Sequence, residues 1–315
     1  MTTKITAPAI RIKVTGRCNR TCEFCHEEGD MQSIQSISPD KQFFDCVMSL
    51  TKALGCERIM LTGGEPTIHP ALLDIVGGLT ADEISITSNG IRPLLAKTWK
   101  KLRSAGLSKV ILSIHDASVD SFISLESKRR NATWGERGLA AQQQNLINIS
   151  LAGIAARVNT VVYKSAQQAL DVMTMLDGLH REYGIEMRLL NNLVDVERSK
   201  QDIAHACAHL EATEEASYRR AGSSNATTYW VAKNGIRFST KVSYPYYLEA
   251  ICRDCQIKSS CHEGYYGVRL EKRAGDYWVR LCIYKQSHDI LMPWKSFLDS
   301  ELASHVREAC DDELS

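Results

Sequence analysis

The chain has 315 residues, 44% of them hydrophobic and 24% charged, which is enough to bury the core of one large domain with an appendage. Its formal net charge of +1 gives no support for a protein that binds nucleic acid or membrane surfaces through non-specific charge. The sequence shows neither a long apolar run nor the pattern of a secretion signal at MTTKITAPAI, so we predict a cytoplasmic protein without nucleic-acid or membrane partners.

Six β-branched runs predict six strands in the first part of the chain. In chain order they are AIRIKVT, RIMLTGG, EISITSNG, KVILSIH, AARVNTVVY and IEMRLLNNL. Helical patterns follow them: one begins at Ser38 as N-cap and Pro39 as first helical residue, and others lie near 93–105, 136–152 and 166–183. Repeated strand-then-helix units build parallel sheets. We therefore predict an α/β fold with a partial (βα)6 barrel over residues 1–195.

The alternation stops after about residue 195. A polar helical stretch is followed by short strands, a second group of cysteines and a final helix carrying Trp294, Phe297, Leu298, Leu302 and Val306. This change of pattern predicts a small cysteine-rich α+β extension over residues 196–315.

The chain has 11 cysteines, an odd number that disfavours a disulfide framework and favours metal or cluster binding. Cys18, Cys22 and Cys25 follow the first predicted strand. Three thiolates from one loop suit a [4Fe–4S] cluster and leave one iron without a protein ligand, open to a substrate or cofactor. Zinc is the alternative, for which the neighbouring His26 would be the fourth ligand.

The second cysteine group lies in CRDCQIKSSCHEGYYGVRLEKRAGDYWVRLC and comprises Cys252, Cys255, Cys261 and Cys282. Four thiols on a turn and a hairpin suit either a zinc ion or a second iron–sulfur cluster, and their spacing leaves both open. If all four bind, the cluster is fully ligated, and it serves electron transfer or support. If Cys261 is free, one iron stays open to substrate.

Three motifs resemble those of the radical S-adenosylmethionine (SAM) superfamily: CNRTCEFC after the first strand, LTGGEP after the second and TSNG after the third. The resemblance covers residues 9–195 and implies that Cys18, Cys22 and Cys25 hold a [4Fe–4S] cluster whose open iron binds SAM. It also implies SAM contacts, with the ammonium group received by the turn of the second motif. These contacts are Gly63, Gly64, Glu65, Pro66, Thr87, Ser88, Asn89 and Ser113. His115 is expected at the same rim, with a structural role as plausible as a catalytic one.

The second cysteine group resembles the Twitch and SPASM modules, which implies a second [4Fe–4S] cluster. The whole chain is similar to the molybdenum-cofactor GTP 3′,8-cyclase family, and this similarity implies substrate contacts from Arg17, Arg58, Arg157, Arg188 and Arg269. The sequence also departs from that family. Met60 stands at a basic position, Gly267 replaces one arginine of an Arg-x-Arg pair, Cys261 adds a fourth thiol, and the chain ends in CDDELS rather than Gly-Gly.

We therefore predict a radical SAM enzyme whose 5′-deoxyadenosyl radical takes hydrogen from a small molecule or short peptide, with a reducing partner such as flavodoxin or ferredoxin. The second cluster assists substrate binding or electron transfer. The first alternative is GTP 3′,8-cyclase itself. The second is a non-catalytic iron–sulfur electron-transfer or sensor protein, against which the LTGGEP and TSNG motifs argue. The catalytic residues are not predictable from these motifs.

Overall fold

A computed structural model describes residues 4–6, 8–25, 33–221, 223–285, 287 and 290–314. His26, the predicted alternative zinc ligand, lies outside the described residues. The described strands are β1 Lys4–Thr6, β2 Ala9–Thr15, β3 Arg58–Gly63, β4 Glu83–Ser88, β5 Lys109–Ser113, β6 Ala155–Val162, β7 Glu186–Asn191, β8 Thr213–Arg220, β9 Asn225–Val231, β10 Arg237–Ser243, β11 Arg269–Arg273, β12 Asp276–Arg280 and β13 Leu291–Pro293. They form one sheet.

The described α-helices are interspersed among the strands. They are α1 Lys41–Leu54, α2 Leu72–Gly77, α3 Ala96–Ser104, α4 Val119–Ser124, α5 Ala132–Leu151, α6 Ala166–Tyr183, α7 Val196–His209, α8 Glu249–Cys252, α9 Trp294–Leu298 and α10 Glu301–Leu314. Short 3-10 turns lie at Pro66–Ile68 and Lys258–Ser260.

The six predicted strands are confirmed as β2 to β7, which pair in parallel in chain order. The predicted start of the first helix is wrong by two residues. Asp40 is the N-cap, because its carboxylate accepts a hydrogen bond from the Phe43 N–H at 2.9 Å. The hydroxyl of Ser38 instead accepts from Lys272 Nζ at 3.2 Å, across the fold.

The strands after residue 195 extend the barrel sheet at both edges. At one edge β10 pairs in parallel with β7, β9 and β8 continue as antiparallel neighbours, and β1 pairs in parallel with β8. At the other edge β11 pairs in parallel with β2, followed by β12 and β13. Arg220 at the end of β8 places Nη1 3.5 Å from the sulfur of Met60 on β3. The strands β8 to β10 thus face the first strands of the barrel and enclose its interior.

A buried ionic cluster joins the barrel to the C-terminal hairpin. Glu271 on β11 accepts from Lys13 Nζ on β2 at 2.9 Å and from Arg280 Nη2 on β12 at 3.1 Å, and all three side chains are fully buried. Burial by itself would raise the pKa of Glu271, but Lys13 and Arg280 lower it overall. The cluster therefore contributes to stability only while the glutamate is ionised.

Replacing Glu271 with glutamine is expected to lower the free energy of unfolding by about 3–5 kcal/mol, because it leaves two buried cations without their carboxylate. Since the folded pKa lies below the ordinary value of 4.5, this contribution is present above that pH and is lost as the pH falls through the folded value. Urea unfolding at neutral and acidic pH measures both effects. Glu211→Gln, in an exposed pair with Lys233, is the control and costs less than about 1 kcal/mol. Equal effects of the two variants would contradict the assignment.

No helix among the described residues is long and apolar enough to cross a membrane.

Candidate functional site

The three motifs meet at the carboxyl ends of β2, β3 and β4, where ligands of parallel sheets bind. They line a cavity of about 270 Å³, which we call the rim cavity. Its lining residues are Cys18, Arg20, Cys22, Phe24, Cys25, Thr62, Gly63, Gly64, Thr87, Ser88, Asn89, Ser113, His115, Val161, Leu190, Asn191, Asn192, Leu193, Lys241, Ser243, Glu263 and Tyr266. Six of the eight predicted SAM contacts lie among them; the other two, Glu65 and Pro66, are buried behind this surface.

The thiols of the first cysteine group are close enough to influence one another. Burial, together with Glu126, Cys25 and Cys18, raises the pKa of Cys22 to about 12 against the opposing effect of Arg20. Cys18 accepts hydrogen bonds through Sγ from the Arg20 N–H at 3.4 Å and from Asn89 Nδ2 at 3.8 Å. Such N–H contacts are typical around cluster thiolates, and a bound metal supplies the positive charge that thiolates need at this site. The donor set therefore fits an iron–sulfur cluster.

Glu126, in the segment between α4 and α5, holds the cysteine loop in place. Its carboxylate accepts from Arg20 Nε at 2.6 Å, from the Thr21 N–H at 2.8 Å and from the Thr21 hydroxyl at 3.0 Å. Cys22 Sγ lies 3.9 Å away. Sequence reasoning did not identify this residue, since an isolated glutamate about a hundred positions after the loop carries no local signal.

The glycines of the second motif allow its backbone to approach the cysteine loop. The Gly64 N–H donates to the Thr15 carbonyl at 2.8 Å. A Cβ atom at Gly64 would lie 2.1 Å from the Arg17 carbonyl oxygen, and one at Gly63 would lie 2.3 Å from the Thr15 oxygen. Only glycine fits at both positions, so the turn packs directly against the cysteine loop, and both glycines line the rim cavity.

Glu65 is buried behind the rim cavity and binds residues that line it. Its two carboxylate oxygens accept from the Thr67 N–H at 2.9 Å, the Ser88 hydroxyl at 2.8 Å and the Asn89 N–H at 2.7 Å. Burial raises its pKa, and the Thr67, Ser88 and Asn89 hydrogen bonds oppose the rise. The side chain thus joins the second and third motifs rather than facing the cavity.

A second, larger cavity of about 820 Å³ fills the barrel interior; we call it the basic cavity. It shares nine lining residues with the rim cavity, so the two are contiguous. These shared residues are Phe24, Thr62, Thr87, Ser113, His115, Val161, Leu190, Lys241 and Tyr266.

Eight cations and two carboxylates line the basic cavity. They are Arg11, Arg58, Lys109, Arg157, Arg188, Arg219, Arg220, Lys241, Glu83 and Glu215. Burial, reinforced by the neighbouring Arg188, lowers the pKa of Arg157 to about 9. Burial together with Arg58 and Arg11 lowers the pKa of Arg220 to about 10, against the opposing effect of Tyr266. Arginines stay charged at such values, so these cations repel one another and together favour an anion.

The predicted substrate arginines divide into two groups. Arg58, Arg157 and Arg188 line the basic cavity. Arg17 is exposed and lines neither cavity, and Arg269 is buried with its guanidinium 4.7 Å from the ring centre of Tyr266. No motif in the sequence indicates the remaining cavity cations, which are Arg11, Lys109, Arg219, Arg220 and Lys241.

The second cysteine group gathers around α8 and the end of β12. Burial, together with Cys282, Cys255 and Cys261, raises the pKa of Cys252 to about 11, so the four thiols are neighbours. Cys261 Sγ accepts from the Gly264 N–H at 3.1 Å, and Cys282 Sγ accepts from the Tyr284 N–H at 3.4 Å. This donor set also fits a metal centre.

The part of the chain that the structure describes contains no group of three or more His, Cys, Asp or Glu side chains already set at metal-binding distances.

Residues 12–160 match the sequence profile of the "Radical SAM superfamily". This match confirms the resemblance found in the three motifs, and it stops short of the second cysteine group, for which the Twitch interpretation stays a prediction.

Sequence relatives are named "Probable GTP 3',8-cyclase". The protein from Thermoplasma volcanium is 37% identical over 118 residues, covering 36% of this chain and 35% of the relative. The protein from Saccharolobus solfataricus is 37% identical over 116 residues, covering 36% of each chain. The chain thus aligns with about a third of the length of these relatives.

Among solved structures, Streptococcus suis SuiB bound to its precursor peptide SuiA has a TM-score of 0.50 and 17% identity. The match covers 68% of this chain and 48% of that chain. At this identity the similarity supports the α/β barrel-like fold alone.

Proposed function

We propose that this chain, whose residues 12–160 match the radical SAM superfamily, is an enzyme that cleaves SAM and acts on a nucleoside triphosphate. GTP is the first candidate for that substrate. The observation that carries the proposal is the basic cavity, which opens directly into the rim cavity. The names of the relatives point to the same substrate. The GTP alternative is therefore preferred over the short-peptide prediction.

Cys18, Cys22 and Cys25 would hold the first cluster, with Asn89 and the Arg20 N–H donating to Cys18 Sγ. When bound, the cluster supplies the electron that cleaves SAM, and the 5′-deoxyadenosyl radical that results takes hydrogen from substrate. The chain itself shapes the pocket around this chemistry. Gly63 and Gly64 expose backbone at the rim, and Glu65 fixes the third motif beside them.

The basic cavity suits a triphosphate because its cations lie within an enclosed, low-dielectric space. Guanidinium groups bind phosphate oxygens in pairs of hydrogen bonds, and Arg58, Arg157 and Arg188 come from three different strands. A bound polyanion relieves the repulsion among these cations. This gain is specific to polyanions, since a neutral peptide would leave the repulsion in place.

The second cysteine group would hold the second cluster through Cys252, Cys255 and Cys282, and Cys261 is a further donor. The hydrogen bond from the Gly264 N–H to Cys261 Sγ supports a thiolate at this position. With four thiolates the cluster would be closed to substrate. Its role would then be electron transfer from a reducing partner such as flavodoxin or ferredoxin, which remains a prediction.

An electron-transfer or sensor protein needs neither a SAM rim nor an enclosed cationic cavity. The glycine turn and the Glu65 hydrogen bonds order a rim for a ligand, and Arg157 and Arg188 face the interior rather than solvent. Both features favour an enzyme.

The test is anaerobic incubation of the reconstituted protein with SAM, a strong reductant and GTP, followed by mass spectrometry. We expect 5′-deoxyadenosine together with a cyclised purine nucleotide. 5′-Deoxyadenosine without conversion of GTP would contradict the substrate assignment. No 5′-deoxyadenosine from protein with intact clusters would contradict the enzyme assignment. ATP in place of GTP is the matched control for recognition of the base.

A further inference from the structure

The side chain of Tyr266 lies in the wall that the rim cavity and the basic cavity share. We propose that Tyr266 is an acid–base residue of this enzyme, whose phenolate oxygen, held by Lys241, takes a proton from an O–H or N–H group of the bound substrate. The inference rests on the proposed function for its substrate, a nucleoside triphosphate. It adds a residue that neither the motifs nor the relatives assign.

The geometry around the phenol favours its negative form. Lys241 Nζ donates to the Tyr266 hydroxyl oxygen at 2.6 Å, and Arg11 Nη2 donates to the same oxygen at 3.4 Å. Three cations also surround the ring, with Arg11, Lys241 and Arg269 lying 5.2, 4.8 and 4.7 Å from its centre. Charge-assisted hydrogen bonds to an oxygen stabilise its anion over its neutral form.

The charges around Tyr266 act on its pKa in the same direction. Burial by itself would raise the pKa of the phenol, but Lys241 and Arg11 lower it to about 8. The charged groups that face Tyr266 from the elements around it are Arg11 on β2, Arg188 on β7, Arg220 on β8, Lys241 on β10, Glu263 in the preceding loop and Arg269 on β11. Glu263 raises the pKa, and the cations outweigh it.

The other titratable groups shared by the two cavities are less suited to the role. Burial lowers the pKa of His115 to about 3, so its ring is neutral, and its Nδ1 already accepts from the Val161 N–H at 3.1 Å. Lys241 is the donor that holds Tyr266. Among the titratable side chains that line both cavities, Tyr266 is therefore the one whose pKa, about 8, lies near neutral pH.

The proposed step moves one proton and no electron. The O–H or N–H bond of the substrate breaks, its electron pair stays on the substrate, and the proton forms the phenolic O–H of Tyr266. The step suits radical chemistry, because a hydroxyl attached to a carbon radical is much more acidic than the same hydroxyl in the parent molecule. The proton then returns to the product or passes to water in the cavity.

The experiment compares the holoenzyme with three variants, Tyr266→Phe, Lys241→Gln and Lys241→Arg, using GTP as the probe across the neutral to alkaline range. In the parent, product formation should rise with pH through an apparent pKa at or above about 8, since the base must be deprotonated. Tyr266→Phe should lose this rise of the rate with pH and form product at least ~10²-fold more slowly. In Lys241→Gln the rise should occur at higher pH, and in Lys241→Arg it should occur as in the parent. Tyr183→Phe, on α6 outside both cavities, is the control and should behave as the parent.

A Tyr266→Phe enzyme with the rate and the pH dependence of the parent would overturn the inference. If the parent forms no product from GTP, the proposed substrate fails, and ultraviolet resonance Raman spectra of the same proteins decide separately about Tyr266. A tyrosinate signal that grows as the pH rises through about 8, disappears in Tyr266→Phe and moves to higher pH in Lys241→Gln supports the inference. A parent without that signal overturns it.

Discussion

Replacing Cys22 with alanine is expected to abolish formation of 5′-deoxyadenosine, a loss of at least about 10³-fold, because two thiolates from the loop do not hold a [4Fe–4S] cluster. The protein should remain folded. The loop is attached independently through Glu126, which binds Arg20 and Thr21, and through the Glu65–Arg17 backbone hydrogen bond. Iron content, circular dichroism and anaerobic SAM cleavage measure the three properties separately.

Cys255→Ala is the matched variant at the second cysteine group. It should lower the iron content as well, yet retain SAM cleavage, because Cys255 lies outside the lining of the rim cavity. Cys46→Ala, at a buried thiol on α1, should leave iron and cleavage unchanged. A Cys22→Ala protein that forms 5′-deoxyadenosine at the parental rate would contradict the assignment of the first cluster.

Replacing Arg157 with methionine should weaken GTP binding by about 10- to 100-fold, as expected for the loss of a charged hydrogen bond worth roughly 1.5–3 kcal/mol. The same change should leave the empty protein as stable as the parent or more stable. Burial and the neighbouring Arg188 both disfavour the charge of Arg157, and methionine retains much of its apolar volume. Weaker GTP binding without a loss of stability would show that the charge of Arg157 serves ligand binding rather than folding.

Isothermal titration with GTP and thermal unfolding without GTP measure the two effects. Lys233→Met removes a cation that is 70% exposed, in a surface pair with Glu211, and is the control for general charge effects. It should alter neither quantity by more than about 1 kcal/mol. If Arg157→Met lowered stability while GTP binding was retained, Arg157 would be a structural residue.

The choice of GTP rests on two observations of different kinds. The relatives carry that substrate in their names but align with only about a third of their length. The cavity favours a polyanion, and its cations come partly from β8 and β10, which lie outside residues 12–160 that match the radical SAM profile. Gly267 and Arg269 line a separate small pocket beside Tyr266 rather than the basic cavity. Comparing GTP with ATP tests whether the cavity selects the base.

The parallel barrel and the position of the first cysteine group follow from local patterns in the sequence. Alternation of β-branched runs with helical stripes is a local signal, and it predicted β2 to β7 correctly. The three motifs follow consecutive parallel strands, so topology alone places them at one rim. The helix start was misplaced at Ser38 because Ser38 and Asp40 are both capping residues, and only the structure shows which one meets the Phe43 N–H.

Tertiary structure decided the rest of the site. Arg219 and Arg220 reach the cavity because β8 to β10 join the sheet beside β7. This pairing joins distant segments, so no periodic pattern in the sequence indicates it. The contacts of Glu126 with Arg20 and of Lys241 with Tyr266 likewise join residues that are 106 and 25 positions apart. Isolated polar residues carry no sign of their partner, because an ion pair or hydrogen bond depends on distances that only the folded chain fixes.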